Sequence, residues 1–264
     1  MKKAQSYDAF VDKFKPRHTS DDTHTPPNVY EAVLAWCERR YGIDRAKVLR
    51  PFFPGGDYVH AEYPADCVVI DNPPFSILSQ IVRFYLGRKI RFFIFAPSLT
   101  SIKHARHSGC AAVFSNSDIT FDNGAVIRCA FLTSLEPADV LAVSAPDLGD
   151  AIAVAENENP KAKKKHVTPL MLPDEVLTGA RMQYLASLHV PHTVRRSDVA
   201  FMHRLDNYPA PYGGGFLLSD RASAERVAAE RVAAERAQSR RAAHKVELSA
   251  REREIVKQLG KEQA

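Results

Sequence analysis

The strongest constraint on the fold lies in residues 67–97. Residues 67–70 are a short apolar run rich in β-branched side chains, and this run stops at Asp71-Asn72-Pro73-Pro74. Residues 77–87 carry apolar side chains at helical spacing, and residues 90–96 form a second apolar run. Buried strands that are joined by a helix pair in parallel, through a right-handed crossover. The segment therefore predicts a βαβ unit within an α/β fold.

Further elements are predicted on both sides of this unit. A helical pattern opens at Thr25-Pro26-Pro27-Asn28 and runs to residue 41, and residues 47–53 are typical of a short buried strand. The runs 118–121 and 125–132 flank Asp122-Asn123-Gly124, which is a strong signal for a β-hairpin. Residues 176–190 favour a helix, whereas residues 138–143 fit either a strand or a helix.

The charge distribution separates the end of the chain from the rest. The 264 residues carry a formal charge of +5, and residues 221–264 hold 11 Lys and Arg against 7 Asp and Glu, a net +4. Two AERVA repeats, at 224–228 and 229–233, consist mainly of good helix formers. We therefore divide the chain into a loose arm (1–24), an α/β domain (25–218) and a basic helical tail (219–264). The tail fits a solvated charged helix, and it also fits nucleic-acid contact through its arginines.

Several classes of protein are excluded by the composition. Four scattered cysteines without a Cys-x-x-Cys pair predict neither a zinc ribbon nor a disulfide framework, and they favour a reducing, cytoplasmic setting. The most apolar stretch, 77–97, contains four Lys and Arg, so no membrane span is expected. His104 and His107 share helical spacing but have no third ligand close by in the sequence, and no metal is expected.

The residues with the most chemical information are Asn72-Pro73-Pro74-Phe75. They follow a predicted strand, at the position where ligands bind in open α/β sheets. Neither proline has an N–H to donate, while their carbonyls and the Asn72 amide oxygen can accept hydrogen bonds. Phe75 adds a flat apolar face. Stiff acceptors beside an aromatic ring suit a planar ligand with an amino group, such as an adenine taken out of the DNA stack. The plainer alternative is that these residues only end a strand and begin a helix.

With its flanking strands, this segment resembles the catalytic motif of adenine-specific DNA methyltransferases, (Asp/Asn/Ser)-Pro-Pro-(Tyr/Phe/Trp). The likeness covers roughly residues 20–145 and is to phage-borne methylase-like proteins. It implies a Rossmann-like methyltransferase sheet, mostly parallel, that ends in an antiparallel hairpin around Gly124; the charged helix would follow this domain. It also implies transfer of a methyl group from S-adenosylmethionine to the adenine amine of DNA, with Asn72, Pro73, Pro74 and Phe75 as catalytic residues.

The same resemblance implies a cofactor site. Thr25 and Pro26 match the segment that covers the methionine part of the cofactor. The glycine turn would be Gly55-Gly56-Asp57, which departs from the family's Phe-x-Gly-x-Gly pattern, and Asp71 is assigned to the same site. Only 14 residues separate Gly56 from Asp71. The family places two further strands and an acidic ribose ligand in this interval, and here Asp57 or Glu62 would have to serve.

Two other functions remain open at this stage. The chain could be a catalytically degenerate, methyltransferase-like protein that binds DNA as a partition-type accessory factor through its basic tail. It could also be a methyltransferase that acts on another planar amine, in RNA or in a free nucleotide. The oligomeric state is left open.

Overall fold

The structure is a computed structural model that describes residues 24–52, 57–107, 109–122, 124–157, 172–202, 215–243 and 251. The arm predicted for residues 1–24 lies outside this part of the chain except for its last residue. Gly55, Gly56 and Asn123 also lie outside the described residues.

Six α-helices and ten strands are described. The helices are α1 (Pro27–Tyr41), α2 (Leu78–Gly87), α3 (Ser98–His104), α4 (Pro146–Glu156), α5 (Gly179–Ser187) and α6 (Asp220–Ala243). The strands are β1 (Val48–Leu49), β2 (Val68–Asp71), β3 (Arg91–Pro97), β4 (Ala111–Thr120), β5 (Val126–Thr133), β6 (Val140–Ser144), β7 (Val176–Leu177), β8 (His192–Arg195), β9 (Val199–Met202) and β10 (Gly215–Leu218).

Seven of these strands form one mixed sheet in the order β1-β2-β3-β5-β4-β6-β8. Strands β1, β2, β3, β4 and β6 run in one direction, and β5 and β8 run in the other. The α/β class and the mostly parallel sheet are therefore as predicted, and they are compatible with a Rossmann-like fold. A small antiparallel sheet, β7-β10-β9, was not expected from the sequence.

The predicted βαβ unit is confirmed in β2, α2 and β3. Strands β2 and β3 are parallel, with Val68 paired to Arg91 and Asp71 paired to Ile94. Residues 92–96 of β3 are all fully buried, and successive side chains enter different cores. Because both faces of this strand are buried, its sequence is a nearly continuous run of apolar residues.

Helices cover the sheet on both sides. The α1-side core joins one face of the sheet to α1 and α4, and it includes Val29 and Val33 of α1 and Ile152 of α4. The α2-side core joins the other face to α2, α3, α5 and the small sheet, and it includes Ile81 of α2 and Leu185 of α5. Each fully buried side chain of this size contributes about 1.5–3 kcal/mol. The sheet is therefore the middle of three layers.

The hairpin is confirmed, but its place in the sheet is not the one expected. Strands β4 and β5 pair antiparallel around the turn at residues 121–125, with Thr120 opposite Val126. The expectation that this hairpin ends the sheet is wrong, because β5 lies between β3 and β4, and the sheet continues through β6 and β8. The segment left open between strand and helix is strand β6.

The first strand is shorter and less buried than expected. Only Val48 and Leu49 pair with β2, both are half-buried, and β1 forms an edge of the large sheet. The described residues of its connection to β2, 50–52 and 57–67, form turns without a helix or strand. The connection between β1 and β2 is therefore short, and the two strands are adjacent and parallel in the sheet.

The first turns of the C-terminal helix are not solvated on all sides. In α6, Arg226 is 0% exposed and donates to the Asp174 carbonyl at 2.7 Å, to the Asp174 carboxylate at 3.0 Å and to Glu230. Glu230 also accepts two bonds from Arg181 on α5, at 2.8 and 2.9 Å. The interpretation of the tail as a solvated charged helix is thus wrong for these turns, because one arginine of the repeat is buried in an ionic network.

No helix in the described part of the chain combines the length and the apolar character needed to cross a lipid bilayer.

The two AERVA repeats give a matched pair of variants for this network. Arg226→Ala should lower the free energy of unfolding by roughly 2–4 kcal/mol, because it removes a buried charged partner of Glu230 and Asp174. Arg231→Ala, at the equivalent repeat position, should change it little, since Arg231 is 75% exposed and makes one long ion pair with Glu235. Urea unfolding followed by circular dichroism measures both. Equal losses in the two variants would contradict the assignment of stability to the buried arginine.

Candidate functional site

Three parallel strands end side by side and place the Asn72 segment at one edge of the sheet. Because β1, β2 and β3 are adjacent and parallel, their carboxyl ends share this edge. Asn72 leaves β2 and is followed by Pro73, which is buried, and by Pro74 and Phe75, which are half-buried. Pro74 is extended (φ −56°, ψ 122°), and a short 3-10 turn, Phe75–Ile77, leads into α2. The predicted catalytic residues thus lie together on a stiff connection between strand and helix.

A buried carboxylate fixes the start of this connection. Asp71 is 1% exposed, and one of its oxygens accepts the Asn72 backbone N–H at 2.9 Å. The other oxygen accepts the backbone N–H of Phe52 at 2.8 Å. Phe52 belongs to the loop after β1, so Asp71 joins the loops that follow two neighbouring strands.

Arg50 and Tyr30 complete this junction from the α1 side. The Arg50 guanidinium lies 3.4 Å from the Asp71 carboxylate and 3.7 Å from the centre of the Tyr30 ring. The Tyr30 hydroxyl donates to the carbonyl of Ile70 at 3.0 Å. Helix α1 is therefore attached to the ends of both β1 and β2. Sequence reasoning missed Arg50 and Tyr30, although Arg50 directly follows the residues that form β1.

The electrostatics of the junction follow from its burial. Loss of solvent raises the pKa of the Asp71 carboxyl, while the N–H groups of Phe52 and Asn72 and the Arg50 charge act in the opposite direction. Burial likewise raises the pKa of the Tyr30 hydroxyl, which therefore stays a neutral donor. The Asp71 oxygens are already occupied by these donors, so in this structure the residue positions two loops. Its expected contact with a cofactor stays a prediction.

The residues expected to cover the cofactor lie at the N-terminus of α1. Thr25 and Pro26 are both buried, and the carbonyl of His24 accepts the Asp122 N–H at 3.2 Å, which connects this N-terminus to the β4–β5 turn. Thr25 is 6% exposed, and among the described residues its hydroxyl has no hydrogen-bond partner. A buried hydroxyl in this state is unfavourable by about 1–3 kcal/mol unless a ligand or water satisfies it.

The acidic residues proposed for the ribose are less closely associated with this junction. Asp57 is exposed and accepts the Val59 N–H at 2.8 Å and a bond from His60 at 2.6 Å, so its carboxylate acts within its own turn. Glu62 is exposed as well. Gly55 and Gly56 lie outside the described residues, and their assignment to the cofactor stays a prediction.

The described residues contain no group of three His, Cys, Asp or Glu side chains that could hold a metal ion. Their four cysteines are buried and free.

Asp71 and Asp57 give a matched test of the junction. Asp71→Asn should lower the free energy of unfolding by about 1–3 kcal/mol, because an amide NH2 group would face a backbone N–H that now donates to an oxygen. Asp57→Asn should have little effect, since its exposed oxygens act in a surface turn. Thermal and urea unfolding would measure the difference. A fully stable Asp71→Asn protein would show that the carboxylate does not hold the two loops.

The comparisons with family models, curated proteins and solved structures give no match to this chain. A function therefore has to be argued from the geometry of the site itself.

Proposed function

We propose that the chain transfers a methyl group from S-adenosylmethionine to the exocyclic amine of adenine in DNA. The observation that carries the proposal is the position of Asn72-Pro73-Pro74-Phe75. This segment leaves β2 between two parallel neighbours, at the carboxyl edge of the sheet, and its first backbone N–H is bound by a buried carboxylate. Ligands of open α/β sheets bind at this edge.

The Asn72 segment suits the recognition of an amine. Pro73 and Pro74 offer carbonyls and no N–H groups, so the backbone there accepts hydrogen bonds without competing as a donor. The Asn72 side-chain oxygen is buried. It would accept from the adenine amine after the amide turns toward the substrate. Acceptors on both amine hydrogens direct the nitrogen lone pair away from the segment, toward the electrophile.

Phe75 would provide the stacking face. Its ring packs against the α1-side core and is half-buried, so one part of it is held by the protein and another part stays accessible. Stacking of a base on an aromatic side chain is worth about 1–3 kcal/mol. This energy helps to offset the unstacking of a flipped adenine.

The residues at the N-terminus of α1 fit the cofactor. When bound, S-adenosylmethionine supplies the methyl group as an electrophile on a sulfonium sulfur. Its methionine carboxylate suits a helix N-terminus, where the backbone dipole favours negative charge. The buried Thr25 hydroxyl needs a partner, and a polar group of the cofactor would satisfy it. We therefore assign Thr25 and Pro26 to the methionine part, and the loop after β1 to the remainder.

One observation favours the accessory-protein alternative. Strand β1 and its connection to β2 are short, and the described part of this connection holds no strand or helix that could form the second half of a nucleotide site. Calorimetric titration with S-adenosylmethionine separates the two functions. Micromolar binding supports the enzyme, whereas absence of binding at millimolar cofactor favours a DNA-binding protein without transfer activity.

Asn72 should be essential for transfer and dispensable for folding. Loss of one preorganised hydrogen bond to the reacting group typically slows a reaction by about 10²–10³-fold. The rate of methyl transfer by Asn72→Ala should therefore be at least about 10²–10³-fold lower than that of wild type, while the affinity for the cofactor should stay the same. Tritiated methyl transfer to adenine-containing duplex DNA measures the rate.

Two further variants control this experiment. Asn72→Asp retains an acceptor and should keep part of the activity. Phe75→Ala should weaken binding of the flipped base, whereas Phe75→Tyr keeps a stacking face and should be tolerated. If wild type methylates DNA and Asn72→Ala does so equally well, this site is not the catalytic one.

Thr25→Val tests the cofactor assignment apart from catalysis. The change replaces the hydroxyl by a methyl group of similar size, so removal of an unsatisfied buried hydroxyl should leave the melting temperature unchanged or raise it. Affinity for S-adenosylmethionine should fall about tenfold if the hydroxyl binds the cofactor. A stable Thr25→Val protein with unchanged affinity would remove this residue from the site.

A further inference from the structure

Four cations lie on or beside helices α2 and α3, outside the site described above: Arg83 on α2, Lys103 on α3, Arg106 just after α3, and Arg196 in the turn between β8 and β9. We call Arg83, Lys103, Arg106 and Arg196 the α2–α3 basic surface. Arg83 and Arg106 are exposed, and Lys103 and Arg196 are half-buried. Arg196 donates to the carbonyls of Ala105 and Cys110 and so holds the loop that follows α3.

These cations differ from most other arginines of the domain in their lack of acidic partners. Within the described ranges, none of the four forms an ion pair, and Arg106 instead lies 5.4 Å from the centre of the Phe201 ring. Elsewhere in the described part of the chain, most guanidinium groups are paired with carboxylates. Such pairs join Arg40 to Glu136, Arg45 to Glu31 and Glu38, Arg128 to Asp118, Arg181 to Glu230, Arg195 to Asp139 and Arg221 to Asp198.

The two histidines on this surface respond to the same field. Burial, followed by the charges of Lys103, His107, Arg106 and Arg83, lowers the pKa of His104 to about 4. The pKa of His107 is lowered by burial and then by Arg106, Arg83 and Arg196. The charged groups with the largest effects on both rings are all cations. The surface therefore has an uncompensated positive potential.

The basic surface begins close to the Asn72 segment. Ser79, in the first turn of α2, lies 3.4 Å from the His104 ring, so α3 ends against the part of α2 that follows the segment. Arg83 is four residues after Ser79 and thus on the same side of α2, about 6 Å further along the helix axis. The basic surface therefore extends along α2 from its first turn, next to the segment, towards the opposite edge of the sheet, where Arg196 binds the carbonyl of Cys110 just before β4.

We propose that the α2–α3 basic surface binds the phosphate backbone of duplex DNA beside the adenine site. The proposal rests on the proposed function for the nature of the polyanion. Like charges held together without acids destabilise a folded surface, and neutralisation by phosphates with release of condensed counterions reverses this effect. Backbone contacts fix the register and orientation of a duplex, which an enzyme that extrudes one base requires.

A matched pair of double variants tests the surface. Arg83→Gln with Arg106→Gln removes two exposed cations from it. Arg231→Gln with Arg236→Gln removes two exposed cations from α6, so the net charge is the same in both proteins. Binding to a fluorescein-labelled duplex is followed by anisotropy over a range of salt, without cofactor. Circular dichroism verifies folding, and the single variant Arg83→Gln replaces the pair if the double variant is unfolded.

Each lost phosphate contact should weaken binding about eightfold near 0.1 M salt and reduce the salt slope by about 0.9. The Arg83/Arg106 variant should therefore bind at least about tenfold more weakly than wild type, with a smaller slope, while the α6 variant stays close to wild type. Equal loss in both variants, or loss only in the α6 variant, overturns the proposal. So does a wild-type protein that binds no duplex at low salt, or one whose Arg83 and Arg106 affect only the binding of duplex RNA.

The test of the basic surface and the test of methyl transfer can fail independently of each other. A protein that binds DNA through Arg83 and Arg106 but transfers no methyl group supports the surface and contradicts the enzyme. A protein that methylates DNA with unchanged DNA affinity in the Arg83/Arg106 variant supports the enzyme and contradicts the surface.

Discussion

The buried carboxylate of Asp71 is the interaction on which the edge of the sheet depends. A charge removed from water is stable only when several donors surround it, and Asp71 has two backbone N–H groups and a guanidinium. These donors come from the loops after β1 and β2, so the free energy that keeps the carboxylate buried also fixes both loops. Tyr30 extends the junction to α1 through its hydroxyl and its contact with Arg50. Any ligand that binds at this edge meets Phe52 and Asn72 in positions that Asp71 already holds.

The short connection between β1 and β2 limits which elements can enclose a ligand at this edge of the sheet. Since no strand in the described part of the chain lies on the outer side of β1, a wall on the α1 side would come from the helix itself, and α1 begins at the β4–β5 turn with the buried Thr25 and Pro26. In this arrangement α1 is attached to the edge through Tyr30, which contacts the Ile70 carbonyl and the Arg50 guanidinium. The two proposed functions, methyltransferase and accessory protein, therefore differ in one requirement. The methyltransferase must hold its cofactor with the N-terminus of α1 and the loop after β1.

The sequence predicted local elements well and long-range pairings poorly. Strand β2, helix α2 and strand β3 begin and end within one residue of the predicted limits, because burial on both faces produces an unmistakable apolar pattern. The hairpin was predicted from its turn, yet the insertion of β5 between β3 and β4 depends on pairing with β3, which no local signal encodes. Arg226 and Arg231 occupy equivalent positions in two repeats, yet only Arg226 is buried, where it contacts Asp174, 52 residues earlier in the sequence. The role of Asp71 as a junction could not be predicted for the same reason, since its partners Phe52 and Arg50 are 19 and 21 residues away in the sequence.

The Asp71 junction and the α2–α3 basic surface are built with different electrostatics, and the proposed function gives this difference a purpose. At the junction, on the α1 side of the sheet, the buried charge of Asp71 is matched by two backbone N–H groups and the Arg50 guanidinium. On the α2 side, Arg83, Lys103 and Arg106 remain without acids although carboxylates pair with most arginines elsewhere in the described domain. A pocket for a small cofactor needs the first property, and a surface for a polyanion needs the second. The Asn72 segment joins the two sides, because it starts at the Asp71 junction and ends where α2 begins. A base held on this segment would therefore have its own backbone on the positive side and the methyl donor on the α1 side.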